Sequence, residues 1–438
     1  MMRMLTGYSP DRPVPADAFA WLAGIEDTFI TARSPRTGRT LDEYELTGHY
    51  ERLEDDLDLF AELGVPAVRY GIPWHRVNPA PGRWDFSWSD RALGGLLERG
   101  ITPVVDLVHY GLPPWIEGAW LNPAYPEFVA EYAGRVAERY RGRIQTYTPL
   151  NEPRITAWYC GRLGWWPPYR RSWRGFADVM LAACQGIVRT VERLREVDPD
   201  ILCVHVDATD LYDTHEPALA AEAAHRQDLV FLALDLITGR VGPGHALFEW
   251  LLSLGVEPRA LEALAGRAVR LDLLGINLYP MFSQKWLTGG GRRTRIRMRY
   301  AGADIVERLA DLYWQRYATP LFISETASVG SVARRRRWLD DSVQAVARVR
   351  ARGVPLVGYT WWPLFALVGW AWREGRLPVD RYLLQMGLWD LDPGAQGLRR
   401  VRTPLVDRYR ELAGAGVAAG GTLGGVHLPD AQEARIVS

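Results

Sequence analysis

The stretch ERLEDDLDLFAELGVPAVRYGIPW, residues 51–74, combines two hydrophobic periods on either side of one glycine. Residues 51–64 repeat apolar side chains at the spacing of an amphipathic helix, and Gly64 stands where a helix commonly ends. Residues 67–74 form a nearly continuous run of β-branched, aromatic and other apolar side chains, which predicts a strand buried on both faces. The stretch therefore predicts a helix followed closely by a strand of a covered parallel sheet.

The same unit recurs along the chain. Helical periodicity is found again in residues 89–100, 126–140, 178–197 and 336–353. The apolar runs predicted as strands are AWLAGI (20–25), AVRYGIPW (67–74), TPVVDLVHY (102–110), TYTPLNE (146–152), ILCVHVDA (201–208), LDLLGINLY (271–279), PLFISETA (320–327) and PLVGYTWW (355–362). This alternation predicts an α/β fold, a closed (β/α)8 TIM barrel, with a doubly wound open sheet as the alternative. No predicted strand is followed by the Gly-x-Gly-x-x-Gly turn that would favour the alternative.

We expect a single barrel domain over residues 1–411, with insertions at the carboxyl-terminal face. Residues 209–270 and 281–300 interrupt the alternation and are predicted to be these insertions, the second as a loop. Residues 412–438 are rich in Gly and Ala and are expected to pack loosely as a C-terminal tail.

Charge and composition restrict the class of function. The 438 residues include 52 basic and 52 acidic side chains, so no net field favours nucleic acid or an anionic membrane. The three cysteines, Cys160, Cys184 and Cys203, lack metal-ligand spacing and are typical of a reducing compartment. The N-terminus lacks the apolar core of a signal peptide, so a cytoplasmic protein is expected. No cofactor or metal is implied, and the oligomeric state is left open.

Polar side chains stand at the ends of several predicted strands, where barrels of this kind carry their active sites. Asn151 and Glu152 end the fourth strand, Glu325 ends the seventh, and Arg69 lies within the apolar second strand. The other side chains at strand ends are His109, Tyr110, Asn277, Tyr279, Trp361 and Trp362. Two glutamates that face each other across a barrel mouth form the pair that glycoside hydrolysis needs. Taken alone, Glu152 before Pro153 is equally typical of an acid that complements a helix dipole.

The two glutamates need different protonation states. A carboxylate beside Arg69 and a tyrosine hydroxyl is held ionised and suits a nucleophile, a role that we assign to Glu325. A carboxyl in a less polar pocket retains its proton and suits a general acid and base, a role that we assign to Glu152.

These segments resemble glycoside hydrolase family 1, the family of β-glucosidases and β-galactosidases. The family carries its acid/base in T-x-N-E-P and its nucleophile in an I-T-E-N-G-like motif, which correspond to TPLNEP (148–153) and ISETAS (323–328). Further matches, in the family's order, are ELGVPAVRYGIPWHRVNP (62–79), GITPVVDLVHYGLPPWI (100–116), DLLGINLYP (272–280) and GYTWWPLFALVGW (358–370). The resemblance covers most of residues 19–395 and implies a retaining β-glycosidase that uses no cofactor.

The resemblance also implies roles for individual residues. Glu325 would be the nucleophile and Glu152 the acid/base. Asn151 would bind the 2-hydroxyl of the sugar and His109 the 3-hydroxyl. The other implied residues are Trp362 as the floor under the sugar, Trp370 as a further sugar contact, and Arg69, Tyr279 and Asn277 as groups that orient the nucleophile.

The departures from the family pattern concern sugar recognition. The family's Glu before the tryptophan that matches Trp370 is Gly369 here, and the Asn after the nucleophile is Thr326. The family's sugar-binding Gln is not recognisable near the first strand, where Glu26 is the nearest polar candidate. The glycone is therefore left open, and aromatic residues within 161–173 suggest an aglycone platform without naming the aglycone.

Several alternatives stay open. A transglycosylase with the same carboxylate pair, or a non-catalytic sugar-binding protein, would share these motifs. His205 and Asp207 share one strand face and could ligate a metal, but no third ligand is suggested. The basic runs 292–297 and 334–337 are typical of solvated faces, and a narrower hypothesis is that Arg373 or the first run binds an anionic group of the substrate.

Overall fold

A computed structural model describes residues 18–25, 27–290, 293–395 and 397–415. The predicted strands form a closed barrel in which neighbouring strands are parallel and the first strand pairs with the last. In chain order they are β1 (Ala20–Gly24), β2 (Ala67–Gly71), β3 (Thr102–Asp106), β4 (Thr146–Thr148), β5 (Leu202–Ala208), β6 (Leu273–Asn277), β7 (Leu321–Thr326) and β8 (Leu356–Trp361). The prediction of a (β/α)8 barrel is confirmed, and the open sheet is excluded.

A helix follows each barrel strand and covers the outside of the barrel. In chain order these helices are α1 (Leu53–Leu63), α2 (Ser87–Glu98), α3 (Tyr125–Arg139), α4 (Trp173–Val197), α5 (Ala220–Ile237), α6 (Asp304–Tyr317), α7 (Val332–Ala351) and α8 (Leu405–Ala415). Gly64, which follows α1, adopts the left-handed φ of 70° that its place in the pattern predicts. The predicted start of α4 at residue 178 is wrong, because the Ser172 hydroxyl caps the helix by accepting from the amide of Gly175 at 2.9 Å.

Shorter elements connect the barrel units. The short helices are Glu43–Thr47, Trp74–Val77, Ala119–Leu121, Pro153–Thr156, Ala157–Leu163, Pro217–Leu219, Phe248–Ser253, Pro258–Ala265, Trp370–Glu374 and Val379–Tyr382. The short strand pairs are Phe29–Ile30 with Leu41–Asp42, Leu367–Val368 with Leu383–Leu384, and Trp389–Gly394 with Gly397–Arg402. Among the described residues, no helix is both long enough and apolar enough to cross a membrane.

The prediction of a loop over residues 281–300 is wrong. Strands Gln284–Gly290 and Arg293–Arg299 pair in antiparallel register, and Leu211–Thr214 adds a third strand in parallel to the first. The reason lies in a period of two, which alternates Arg with Thr294, Ile296 and Met298. Such an alternation is typical of a strand, but the many arginines of this segment make it hard to recognise in the sequence.

The basic run 334–337 is a solvated face at three of its four positions. Arg335, on α7, is 1% exposed, whereas its three neighbours in the run are exposed. Its Nη1 donates to the carbonyl of Gly387 and to Asp390 Oδ1, both at 2.7 Å. The helical period turns this one arginine inward, toward the C-terminal part of the chain.

The side chains inside the barrel change from apolar to polar along its axis. Its apolar side chains are Ala20, Leu22, Ala67, Val104, Leu202, Val204, Val206, Leu273, Phe322 and Val357. Because alternate residues of a strand share a face, the next positions on that face include Arg69, Asp106, Ser324 and Asn277. The parallel strands thus gather polar side chains at their carboxyl ends, above an apolar floor.

A buried ion pair ties the C-terminal strand pair to α1. Asp56 Oδ1 and Oδ2 accept from Arg400 Nε and Nη2, both at 2.7 Å, and His49 Nδ1 lies 2.8 Å from Oδ2. Burial alone would raise the pKa of Asp56, but the donors from His49 and Arg400 outweigh it and lower that pKa below its ordinary value. The ionised carboxylate therefore stabilises the fold.

We expect Asp56→Asn to lower the free energy of unfolding at pH 7 by about 3 kcal/mol, because Arg400 is left buried without its counter-charge. The pKa of Asp56 is depressed by folding, so this contribution is complete above the unfolded pKa of about 4 and is lost as the pH falls below it. Urea unfolding at pH 7 and at pH 3 measures both effects. Asp407→Asn, which breaks the exposed pair with Arg402, is the control and should leave the curve unchanged. A wild-type curve for Asp56→Asn at pH 7 would contradict the expectation.

Candidate active site

Glu152 follows β4 in a backbone conformation that few residues other than glycine adopt. Its φ of 47° lies in the left-handed region, and its amide donates to the carbonyl of Val206 on β5 at 3.1 Å. Pro153 begins the next helix, but the Glu152 side chain makes no capping hydrogen bond there. The interpretation of Glu152 as an acid that serves the helix terminus is therefore not supported, because its side chain bonds within the barrel mouth instead.

Glu325, at the carboxyl end of β7, is held by two donors. Arg69 Nη1 donates to Oε1 at 2.8 Å, and the Tyr279 hydroxyl donates to Oε2 at 2.7 Å. Arg69 is fully buried, so its charge acts on Glu325 through a medium of low polarity. Both donors favour the ionised carboxylate.

Glu152 has a different environment. It is 7% exposed, its Oε1 accepts from Asn277 Nδ2 at 2.8 Å, and its Oε2 accepts from the Tyr110 hydroxyl. Burial raises the pKa of Glu152 to about 8, and the negative charge of Glu325 adds to that shift. The hydrogen bonds from Tyr110 and Asn277 oppose it. The raised pKa therefore favours the protonated form of Glu152 at neutral pH.

A chain of amide and imidazole contacts joins the two carboxyl groups. Asn151 Oδ1 accepts from Arg69 Nη2 at 3.4 Å and from Asn277 Nδ2 at 3.3 Å. Asn151 Nδ2 donates to the Tyr110 hydroxyl and lies 3.2 Å from His109 Nε2, and His109 Nδ1 lies 3.0 Å from Asp106 Oδ2. These contacts fix the side chains around one small polar space.

Two tryptophans flank this space on the β8 side. The Trp362 ring lies nearly parallel to the His109 ring, with centroids 6.4 Å apart, and edge-on to Tyr279 at 6.2 Å. Trp370 Nε1 donates to Thr28 Oγ1 at 3.1 Å, and its ring meets Tyr110 at a centroid distance of 5.4 Å. Trp370 is thereby tied to the segment that follows β1.

The structure gathers most of the predicted site residues, with one difference in contact. The side chains joined by direct contacts are those of Glu152, Glu325, His109, Asn151, Trp362, Arg69, Tyr279 and Asn277. Asn277 was expected to orient the nucleophile, but its amide donates to Glu152, and its Oδ1 accepts from Ser324 Oγ at 2.6 Å. Glu26 lies outside the described residues.

Sequence reasoning gave no role to three residues whose side chains contact the predicted site residues, namely Tyr110, Asp106 and Ser324. Tyr110 stands at a strand end and was given no role, although its hydroxyl bonds both Glu152 and Asn151. Asp106 and Ser324 could have been found by continuing the lumen-facing period of two from Val104 and Phe322. Tyr110 could not, because its φ of 67° departs from the strand period.

Arg373 does not fit the hypothesis that it binds an anionic group. It is 1% exposed, and its Nη1 donates to the carbonyl of Trp165 and to Glu374 Oε1. Its Nη2 donates to the carbonyl of Ala32 and to the Tyr169 hydroxyl, both at 2.9 Å. Both terminal nitrogens are therefore occupied by the protein itself.

A cavity of about 360 Å³ lies beside the polar space and shares Tyr110 as a wall. Trp166, Pro167, Pro168 and Tyr169 form another part of its lining, which places the aromatic stretch 161–173 at the mouth. His205 Nε2 and Asp207 Oδ2 are 3.0 Å apart, and the described residues contain no group of three metal-ligating His, Cys, Asp or Glu side chains.

Comparisons with known proteins agree with this architecture. The β-glucosidase of Thermotoga maritima, solved in complex with glucoimidazole, superposes with a TM-score of 0.80 over 91% of this chain and 98% of that one, at 19% identity. A bifunctional β-D-glucosidase/β-D-fucosidase of Bifidobacterium breve is 37% identical over 149 residues, which are 29% of this chain and about a third (32%) of that enzyme.

Two further findings define the family. β-Glucosidase 47 of Arabidopsis thaliana is 33% identical over 402 residues, which cover 80% of this chain and 72% of that protein. The sequence model of glycosyl hydrolase family 1 matches residues 23–232. The fold, the long alignment and the family match lead to one conclusion: the chain belongs to glycosyl hydrolase family 1.

Proposed function

We propose that this protein is a retaining β-glycosidase that hydrolyses a β-linked glycoside by double displacement. The observation that carries the proposal is a pair of buried glutamates whose surroundings favour opposite protonation states. Glu325 lies between the donors Arg69 and Tyr279, whereas burial and the charge of Glu325 raise the pKa of Glu152 to about 8. One ionised and one protonated carboxyl group are the nucleophile and the acid that a retaining mechanism needs.

In the first step Glu325 attacks the anomeric carbon and forms an ester with the sugar. Glu152 transfers its proton to the glycosidic oxygen, and the aglycone leaves as an alcohol. Charge develops on the sugar ring in this transition state, and a hydrogen bond to the 2-hydroxyl strengthens there. Asn151 is the residue proposed to make that bond.

In the second step Glu152 acts as a base. Formation of the ester removes the negative charge of Glu325, which is the second largest cause of the raised pKa of Glu152. The pKa of Glu152 therefore falls in the intermediate, and its ionised form is stabilised. Glu152 then deprotonates a water molecule, which attacks the anomeric carbon and releases the sugar with its β configuration.

The other proposed roles follow the contacts. Arg69 and Tyr279 keep Glu325 ionised and oriented, and Asn277 holds Glu152 Oε1. His109 binds the 3-hydroxyl, a position that its contact with Asn151 Nδ2 supports. Trp362 and Trp370 supply ring surfaces for the apolar face of the sugar.

The names of the relatives suggest which sugars to try first. The Bifidobacterium breve enzyme is named for both β-D-glucosidase and β-D-fucosidase activity. Glucose and fucose in their D forms differ in the configuration at C4 and in the hydroxyl at C6. We therefore propose neutral β-D-pyranosides as the substrate class, with recognition at C4 and C6 as the variable part.

We expect Glu325→Ala to lose nearly all hydrolysis of aryl β-glucosides and β-fucosides, and added azide to restore turnover with an α-glycosyl azide as product. Azide would occupy the face that the missing nucleophile vacates, which fixes the configuration of the product. For Glu152→Ala we expect kcat to fall by about 10²- to 10⁴-fold and azide to give the β-glycosyl azide. NMR of the products distinguishes the two configurations.

The Glu131→Ala variant, on the exposed face of α3, is the control and should keep wild-type rates. If Glu325→Ala gave the β-glycosyl azide and Glu152→Ala the α-glycosyl azide, the roles of nucleophile and acid/base would be reversed. Turnover by Glu325→Ala without azide would show that Glu325 is not the nucleophile. Addition of a sugar acceptor to the wild type separates hydrolysis from transglycosylation, because a transglycosylase would give the new glycoside as the main product.

We expect kcat/KM of the wild type to fall as the pH rises through about 8, because the reaction needs protonated Glu152 and its pKa is raised to about 8. Tyr110→Phe removes a donor that favours ionised Glu152, so the basic limb of the profile should move to higher pH. Stopped assays with an aryl glycoside across pH 5–10 measure the basic limb of the wild type and that of Tyr110→Phe.

Tyr159→Phe is the matched control for Tyr110→Phe. The Tyr159 ring packs on Trp166 and Trp370 as the Tyr110 ring does, but within the described residues no hydrogen bond joins its hydroxyl to Glu152. Its basic limb should coincide with that of the wild type. A basic limb that stays in place in Tyr110→Phe would show that the hydroxyl does not set the protonation of Glu152.

A further inference from the structure

We propose that Asp27 and Glu43 are the residues that recognise the glycone hydroxyls farthest from the anomeric carbon, those at C4 and C6. The proposal rests on the glycosidase function proposed above and assigns the part of the sugar site that the sequence leaves without a recognisable residue. Gly369 has no side chain to reach the sugar, and Glu43 accepts from the amide of Val368, the residue before Gly369.

Asp27 lies on a short segment that is anchored to the candidate site at both ends. The amide of Ile25 donates to the carbonyl of Arg69 at 3.1 Å, and the amide of Phe29 donates to the carbonyl of His109 at 3.3 Å. Arg69 binds Glu325, and His109 contacts Asn151. The backbone on either side of Asp27 is therefore fixed to the backbone of two residues whose side chains belong to the candidate site.

Glu43 joins this segment to the neighbourhood of Gly369. Its amide donates to the carbonyl of Thr28 at 3.1 Å, and its Oε2 accepts from the amide of Val368, also at 3.1 Å. Thr28 in turn accepts from Trp370 Nε1. A carboxyl group from the β1 side thus stands beside the position where Gly369 provides none.

Both carboxyl groups are buried, and one oxygen of Glu43 is left without a partner. Glu43 is fully buried, and its Oε1 has no hydrogen-bond partner among the described residues. Asp27 is 2% exposed and accepts from the amide of Thr28 at 3.3 Å, and across the described ranges neither acid forms an ion pair. A buried carboxyl group that lacks partners is costly, so its persistence calls for an explanation in terms of a ligand.

The protonation of this pair suits hydroxyl groups. Burial raises the pKa of Asp27 and of Glu43 well above the ordinary value, and negative charge on Glu325 and on Asp27, respectively, adds to those shifts. A protonated carboxyl group carries one donor and retains acceptor capacity, so it matches a hydroxyl, which also donates and accepts. The neutral edge of a sugar, with its hydroxyl groups, therefore suits this pair of carboxyl groups.

The neighbouring Asp42 shows what a purely structural acid looks like here. Its Oδ1 caps a helix by accepting from the amide of Glu45 at 3.1 Å, and its Oδ2 accepts from the Tyr50 hydroxyl at 3.0 Å and lies 3.1 Å from His75 Nε2. Asp42 is as buried as Asp27 but has partners at both oxygens. It therefore serves as a matched control.

The experiment compares variants on substrates that lack single hydroxyls. Asp27→Ala, Glu43→Ala and the control Asp42→Ala are assayed on an aryl β-D-glucoside and on its 2-deoxy, 4-deoxy and 6-deoxy analogues. We expect each of the first two variants to lose roughly five- to tenfold in kcat/KM on the parent glycoside and to lose nothing further on the analogue without the contacted hydroxyl. Asp27→Asn and Glu43→Gln, which keep hydrogen-bonding groups, should restore most of the loss.

A structural role gives a different pattern. An equal loss of kcat/KM on all four substrates, as expected for Asp42→Ala, would overturn the proposal. A loss that disappears only on the 2-deoxy analogue would also overturn it. Melting temperatures show which variants fail to fold. Where Asp27→Ala or Glu43→Ala fails to fold, the deoxy series is measured with Asp27→Asn or Glu43→Gln instead.

Failure of the glycosidase function can be told apart from failure of this inference. If the wild type hydrolyses none of the glycosides, calorimetry with the corresponding aryl 1-thio-β-D-glucosides measures binding alone. The same selective dependence of Kd on the 4- or 6-hydroxyl then supports the pair, and an absence of binding, or binding that is indifferent to these hydroxyls, overturns it.

Discussion

The contact between Arg69 and Glu325 is the constraint around which the barrel mouth is organised. A guanidinium placed in the lumen of a barrel loses its water and must receive acceptors from the surrounding strands. Arg69 donates to the carbonyl of Ser324 at 2.9 Å and to Glu325 on β7, and to Asn151 after β4, and it lies 3.9 Å from Asp106 on β3. A single buried charge thereby fixes the relative positions of three strand ends.

The buried charge of Arg69 also influences the two carboxyl groups of Glu325 and Glu152. Arg69 stabilises a negative charge on Glu325, and that negative charge favours the protonated form of Glu152. The two carboxyl groups are therefore not independent: whichever one is neutralised during a reaction eases ionisation of the other. The hydrogen bonds from Tyr110 and Asn277 oppose the rise in the pKa of Glu152, so its ionised form stays accessible. The acid/base role proposed for Glu152 needs such a balance.

The sequence predicted the barrel because its signals are local and repeated. A helical period, a glycine and a buried strand suffice for each unit, and Gly64 adopts the expected left-handed conformation. The two glutamates were predicted because they end strands. Features that depend on three-dimensional partners escaped: the strand pair at 281–300, the contact of Asn277 with Glu152, and the role of Tyr110. Tyr110 has a left-handed backbone, so no period in the sequence reveals where its side chain lies.

The mouth has two sides that differ in how strongly their side chains depend on one another. On the side of β3, β4, β6 and β7, buried charges and amides depend on one another, so the loss of one partner leaves another unsatisfied at a cost of several kcal/mol. On the side of β1 and β8, a hydroxyl of the sugar needs only a donor or acceptor within reach, and any wall of the pocket can provide it. On that side Gly369 has no side chain, and the Glu43 carboxyl group accepts from the amide of its neighbour Val368. Mutual dependence therefore constrains the side chains around Glu152 and Glu325 more strongly than those around Gly369.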